Sequence, residues 1–205
     1  MIEAVIFDFG NVIATFDNDL FLNRISKYTD KSVSELRNLI YLESKLPDQY
    51  EEGQISSDEF YKKVTDLCNL NVEKKQFRDD YTGIFTPIPK TIDLIHKLKL
   101  NYKIGLLSST SEWDFEFGIK PISEASLFDS ITLTYEMKLS KPSVKLYEDA
   151  LSKLQVRPVE TVYIDDIPKT ISVANSLGLH GILYTNHNDL IKSLHSLGVK
   201  MLNYD

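Results

Sequence analysis

The chain has a single cysteine, Cys68, among 205 residues. A lone thiol excludes an intrachain disulfide and a cysteine-cluster metal site. Its setting in "SSDEFYKKVTDLCNL" reads as a small apolar position on a helix. Positive charge is also scarce, with 23 Lys and Arg against 30 Asp and Glu and a formal charge of -7. That balance opposes nucleic-acid binding, which gathers Lys and Arg on one face, and favours small-molecule partners. No apolar run approaches the roughly 20 residues that span a bilayer. Glu3 and Asp8 fall inside what would have to be the apolar part of a signal peptide. A cytoplasmic protein with no membrane partner is therefore expected. The histidines, His96, His180, His187 and His195, are too dispersed to form a metal set.

What is present is a recurrence of short apolar runs: "AVIFDF", "YKIGLLSS", "SITLTY", "TVYIDD" and "HGILYT". Longer amphipathic segments separate the last four, which predicts a parallel sheet with helices on both faces. In such α/β sheets ligands bind beyond the carboxyl ends of the strands. The polar residues that close the runs are Asp8, Ser108 with Ser109, and Asp165 with Asp166.

The interval after the first strand is helical throughout, with "SVSELRNLIYLESKL", "SSDEFYKKVTDLCNL" and "VEKKQFRDDY" spacing apolar residues by three and four. Ser32 and Ser56 are expected N-caps, the latter in a capping box with Glu59. The block is too long for a crossover. It predicts a helical domain at residues 16–81 inserted into a core of residues 1–15 and 82–205.

A carboxylate that attacks a phosphoryl group must overcome repulsion between anions, so it needs a divalent cation and a fixed positive side chain. Asp8 is the candidate nucleophile, Ser108 a donor to a phosphoryl oxygen, and Lys141 in "LSKPSV" the neutralising cation. Mg²⁺ takes hard oxygen ligands, here Asp8, the Gly10 carbonyl and the Asp165 and Asp166 pair. Singly, Asp8 reads as a turn residue and Lys141 as a solvated side chain. Two adjacent acids at the end of a buried strand are harder to dismiss, because they repel one another without a cation.

Together these segments resemble the haloacid dehalogenase superfamily. "FDFGNVI", "GLLSST", "SKPSVKLY" and "VYIDDIPKTISVANSLG" are similar to its four motifs, in order over essentially the whole chain. The resemblance implies a Rossmann-like doubly wound core with an inserted helical cap that selects the substrate. It also implies an aspartyl-phosphate intermediate on Asp8, phosphate binding by Ser108, Ser109 and Lys141, and Mg²⁺ on Asp8, Gly10, Asp165 and Asp166. "YEEGQISSDEFYKKV" and "SKPSVKLYEDAL" look closest to the branch of small sugar-phosphate phosphatases that includes glucose-1-phosphate phosphatases.

Two departures qualify that reading. Most phosphatases of the superfamily carry at the position of Gly10 an Asp that protonates the leaving group. Its absence predicts a weak phosphatase biased toward acyl, aryl or anomeric phosphates. Asp17, Asp48, Glu51 or Glu52 could stand in on cap closure, although "EEG" also reads as a helix end with Gly53 at positive φ. Thr170 stands where related motifs place Asn or an acid that supports the metal. Together, Gly10 and Thr170 leave a catalytically impaired binding protein as the main alternative, with a haloacid dehalogenase third. "SEWDFEF" reads as a half-buried loop.

Overall fold

The structure, a computed structural model, describes residues 1–201. Its strands are β1 (Ala4–Phe7), β2 (Ala14–Phe16), β3 (Phe85–Pro87), β4 (Lys103–Ser108), β5 (Ser130–Leu133), β6 (Thr161–Asp165) and β7 (His180–Leu183). Its helices are α1 (Asn18–Ile25), α2 (Val33–Arg37), α3 (Leu46–Glu51), α4 (Ser57–Cys68), α5 (Lys74–Thr82) and α6 (Pro89–Lys99), then α7 (Lys120–Ser123), α8 (Thr134–Met137), α9 (Val144–Leu154), α10 (Pro168–Ser176) and α11 (His187–Ser196). Among the described residues no helix is long and apolar enough to cross a membrane.

Every residue of β1 is fully buried, as a central strand covered on both faces must be. The five expected apolar runs form one sheet in the order β5-β4-β1-β6-β7, and each neighbouring pair is parallel. Because side chains alternate along a strand, Val5 and Phe7 join α6 and α11 in one apolar cluster. Ala4 and Ile6 join α9 and α10 in another. The fold is thus the α/β, doubly wound, Rossmann-like architecture expected from the runs.

Helices α1–α5 bury a third apolar cluster of their own, in which Phe21, Tyr50, Phe60, Phe77 and Tyr81 pack with Trp113. Tyr50 stacks on Phe60 with ring centroids 4.5 Å apart. Ser32 and Ser56 both close capping boxes, with Glu35 and Glu59. Between this block and the sheet runs an antiparallel ribbon of β2 and β3, with Thr15 opposite Thr86. The ribbon leaves no mark in the sequence, because strands of three residues are too short to show a period.

The structure corrects the reading of "SEWDFEF". Residues Asp114–Ile119 form wide helical turns rather than a loop. The buried positions Phe115, Gly118 and Ile119 follow helical spacing, and the Ser111 side chain accepts the Asp114 N–H.

Candidate active site

Parallel strands all end on the same edge of a sheet, so four distant loops meet there. Asp8 directly follows β1, Ser108 closes β4, Asp165 closes β6, and Lys141 lies between α8 and α9. The Lys141 ammonium stands 2.7 Å from Asp8 Oδ1 and 3.0 Å from Asp165 Oδ2. These three side chains are almost fully buried, at 4%, 8% and 0% exposure, so their charges interact with little screening.

Burial pushes the Asp8 carboxyl up to about 6, against the pull of the Lys141 ammonium. For Lys141, burial acts to lower the value, but Asp8 and Asp165 outweigh it and hold the ammonium above its ordinary range. The Lys141 amine therefore stays charged at neutral pH.

Asp8, Asp165 and Asp166 each offer an oxygen, and the three oxygens lie within 4.8 Å of one another. One ammonium cannot balance three carboxylates, and an all-oxygen set of this kind fits a hard divalent cation. The acids are held in place by neighbours. The Tyr163 hydroxyl donates to Asp165 Oδ2, the Ile167 N–H to Asp165 Oδ1 at 2.8 Å, and Asn11 Nδ2 to Asp166 at 2.9 Å. Asn11 sits at φ 56° in the turn after Asp8, a conformation that Asn tolerates better than most residues. Thr170 does not take part in this support. Its hydroxyl donates to the Ile167 carbonyl at 2.7 Å.

Beside Asp8 opens a cavity of about 100 Å³. Gly10, Ser108 and Ser109 line it with Asn18, Tyr41, Glu51, Tyr81 and Asp114, and apolar side chains including Phe9, Phe16, Ile84 and Phe85 complete the wall. An adjoining cleft brings Asp48 and Glu51 of α3, and the C-cap Glu52, to Ser109 and Lys141. A Cβ on Gly10 would stand 3.3 Å from the Phe16 ring, so the space beside residue 10 is partly taken by that side chain. Asp17 is exposed and caps α1, accepting the Asp19 N–H.

Asp114 is buried, and its carboxyl rises to about 7 through burial, despite the Ser111 and Tyr81 hydroxyls that bond it. Its Oδ1 has no protein partner. Tyr163 and Tyr81 carry no recognisable signal in the sequence, and the roles of Asn11 and Asp114 are not apparent from the segments that contain them. Tyr163 was hidden inside an apolar strand, and Asp114 inside an alternating acidic and aromatic stretch.

A model of the family described as haloacid dehalogenase-like hydrolase matches residues 5–184. The chain belongs to this family. A D-ribitol-5-phosphate phosphatase from Bacteroides thetaiotaomicron is 28% identical over 187 residues, covering 87% of this chain and 89% of its own. A sesquiterpene phosphatase from Aspergillus oryzae is 26% identical over 187 residues, or 90% of each chain. The crystal structure of a haloacid dehalogenase family enzyme from Bacteroides thetaiotaomicron, in complex with magnesium and inorganic phosphate, superposes with a TM-score of 0.78. It is 23% identical and covers 90% of this chain and 95% of that one, a likeness that establishes the fold. This haloacid dehalogenase-like protein is accordingly a hydrolase with phosphatase relatives, in line with the sugar-phosphate phosphatase branch that its motifs resemble.

Proposed function

We propose that this hydrolase is a phosphatase of small phosphorylated metabolites that transfers the phosphoryl group to Asp8. The observation that carries the reading is the contact of Asp8 with Lys141 at 2.7 Å, within an acid cluster and next in the chain to Phe9 and Gly10, which line a cavity together with Ser108. Attack by the Asp8 carboxylate on phosphorus forms the aspartyl phosphate and releases the alcohol, and water then cleaves the acyl phosphate. Ser108 and Ser109 bind phosphoryl oxygens, and Lys141 offsets the negative charge of nucleophile and substrate. Asp8, the Gly10 carbonyl, Asp165 and Asp166 are the residues that would hold Mg²⁺, which when bound screens the phosphoryl oxygens and orients them. The acid cluster would have no task in carbon–halogen cleavage, which needs no metal.

Helices α1–α5 act in this reading as a cap whose inner wall defines the leaving group. The cavity of about 100 Å³ sets a few hydrogen-bonding groups, Asn18, Tyr41 and Tyr81 with Asp114 from the loop after β4, among apolar side chains such as Phe16, Ile84 and Phe85. A short hydroxylated leaving group, such as a sugar or polyol, matches both the size and the lining. The test is a panel of phosphorylated metabolites assayed with Mg²⁺, with EDTA, and with Asp8→Asn. Turnover is expected only for the native chain with Mg²⁺. Activity surviving Asp8→Asn, or ligand binding with no turnover anywhere in the panel, would overturn the proposal.

A further inference from the structure

Gly10 removes the side chain nearest Asp8 that could protonate a leaving group, yet the cavity is not short of carboxyls. Glu51, the last residue of α3, lines both the leaving-group cavity with Gly10 and Ser108 and the adjoining cleft with Ser109 and Lys141. Among the described residues it is the one carboxylic acid that lines both spaces. Asp114 lines the cavity but not the Lys141 cleft, and Asp48 and Glu52 line the cleft but not the cavity.

The backbone at Glu51 is fixed against the sheet domain. The Thr134 hydroxyl donates to the Glu51 carbonyl at 2.8 Å, and the same hydroxyl oxygen accepts the Thr110 N–H at 3.0 Å. Two residues on, Gly53 at φ +62° lies so close to the Tyr135 carbonyl that a Cβ would clash with that oxygen. The end of α3 is thereby pinned to the loop after β4 and to the start of α8.

On this geometry, and resting on the phosphatase reading above, we infer that Glu51 is the proton donor to the leaving group, supplied from the cap in place of a carboxyl at position 10. As the Asp8 oxygen forms its bond to phosphorus and the bond from phosphorus to the leaving oxygen breaks, that oxygen takes the Glu51 proton and departs as the alcohol. The resulting Glu51 carboxylate then accepts a proton from the water that attacks the aspartyl phosphate, which restores both acids and releases inorganic phosphate.

The surroundings keep Glu51 in the form this role needs. Burial, with the negative charges of Asp114, Asp48 and Glu52, raises its carboxyl to about 8, while Lys141 acts in the opposite sense. Tyr41 and Tyr81, both raised above their ordinary range, line the same cavity as neutral phenols. The carboxyl is mostly protonated at pH 7 and loses its proton as pH rises through about 8.

The experiment compares the native chain and Glu51→Gln with Mg²⁺, using an alkyl phosphate that the panel shows to be turned over and p-nitrophenyl phosphate. General acid catalysis is typically worth roughly 10²- to 10⁴-fold. Glu51→Gln is expected to lose about that much kcat on the alkyl ester. With p-nitrophenyl phosphate, whose leaving group needs no proton, it should keep the initial burst of nitrophenolate while steady turnover slows. For the native chain, kcat/KM on the alkyl ester should fall above pH 8, while the burst rate with the aryl ester should not. Equal losses in both burst and alkyl turnover, or an alkyl pH profile unchanged in the variant, would overturn the role of Glu51. Should Glu51→Gln fail to fold, the native pH profiles decide alone. An inactive native chain, or one whose Asp8→Asn form is active, would instead sink the phosphatase reading.

Discussion

At the scale of single residues, the site is a balance of buried charge. Lys141 faces two carboxylates, and all three side chains are nearly inaccessible. Such an arrangement is costly to break from one side, because the remaining partners are left desolvated and uncompensated. Lys141→Met is therefore expected to lose activity and to destabilise the protein by about 3–5 kcal/mol in metal-free buffer. Urea unfolding followed by circular dichroism measures this, and added Mg²⁺ should recover part of the loss by binding the freed carboxylates. An unchanged unfolding midpoint would show that the ion pair contributes nothing. The residues of this balance were legible because each one closes an apolar run or sits in a recognisable loop. Their supporters were not, since a tyrosine in a buried strand such as Tyr163 is indistinguishable from ordinary core until its hydroxyl meets Asp165.

At the scale of elements, the contact between α3 and the start of α8 decides whether the helical block can contribute to chemistry. "EEG" has the pattern of a helix end, and Gly53 adopts the positive φ of such a turn. The same turn also delivers Glu51 to the cavity. These two readings do not compete, because a tight helix end is what allows close approach to the Tyr135 carbonyl. Gly53→Ala combines a φ unfavourable to alanine with a backbone clash. It is expected to cost about 1–3 kcal/mol of stability and to lower kcat/KM for alkyl phosphates more than that loss of folded protein explains. Parallel unfolding and kinetic measurements separate the two effects, and a variant with native kinetics would show that the docking is not needed for turnover. By contrast, the capping boxes at Ser32 and Ser56 are local devices. Their chemistry lies within four consecutive residues, which is why the Ser56 box could be read directly from the chain.

At the scale of the whole molecule, the cavity stores carboxyls whose charged forms the fold disfavours. Glu51 and Asp114 rise to about 8 and about 7, chiefly through burial. In the unfolded chain both are ionised near their ordinary values of 4.5 and 3.8. Between these limits the native state holds more protons than the unfolded one, so stability falls as pH rises. His187 opposes this at lower pH, because burial and Lys90 depress its value from 6.5 and its contribution is lost as pH falls below that. The window to examine is therefore pH 6.5 to 8.5. There Tm should decline in metal-free buffer, and Glu51→Gln should show a shallower decline. A flat or rising Tm in the native chain would contradict the raised carboxyls.

By itself the sequence determined the five core strands, their parallel arrangement and the helical block after β1, because hydrophobic period and helix caps are local properties. Together with the motifs it also determined which strand-end residues would share one edge, since parallel strands must all end there. Only the tertiary structure decided which carboxylate of the helical block lines the cavity, that Phe16 takes part of the space beside Gly10, and that Asp114 lies buried in the wall. Those outcomes depend on how α3 and the Asp114–Ile119 turns pack against loops far away in the chain, and no short stretch of residues encodes a contact between two surfaces.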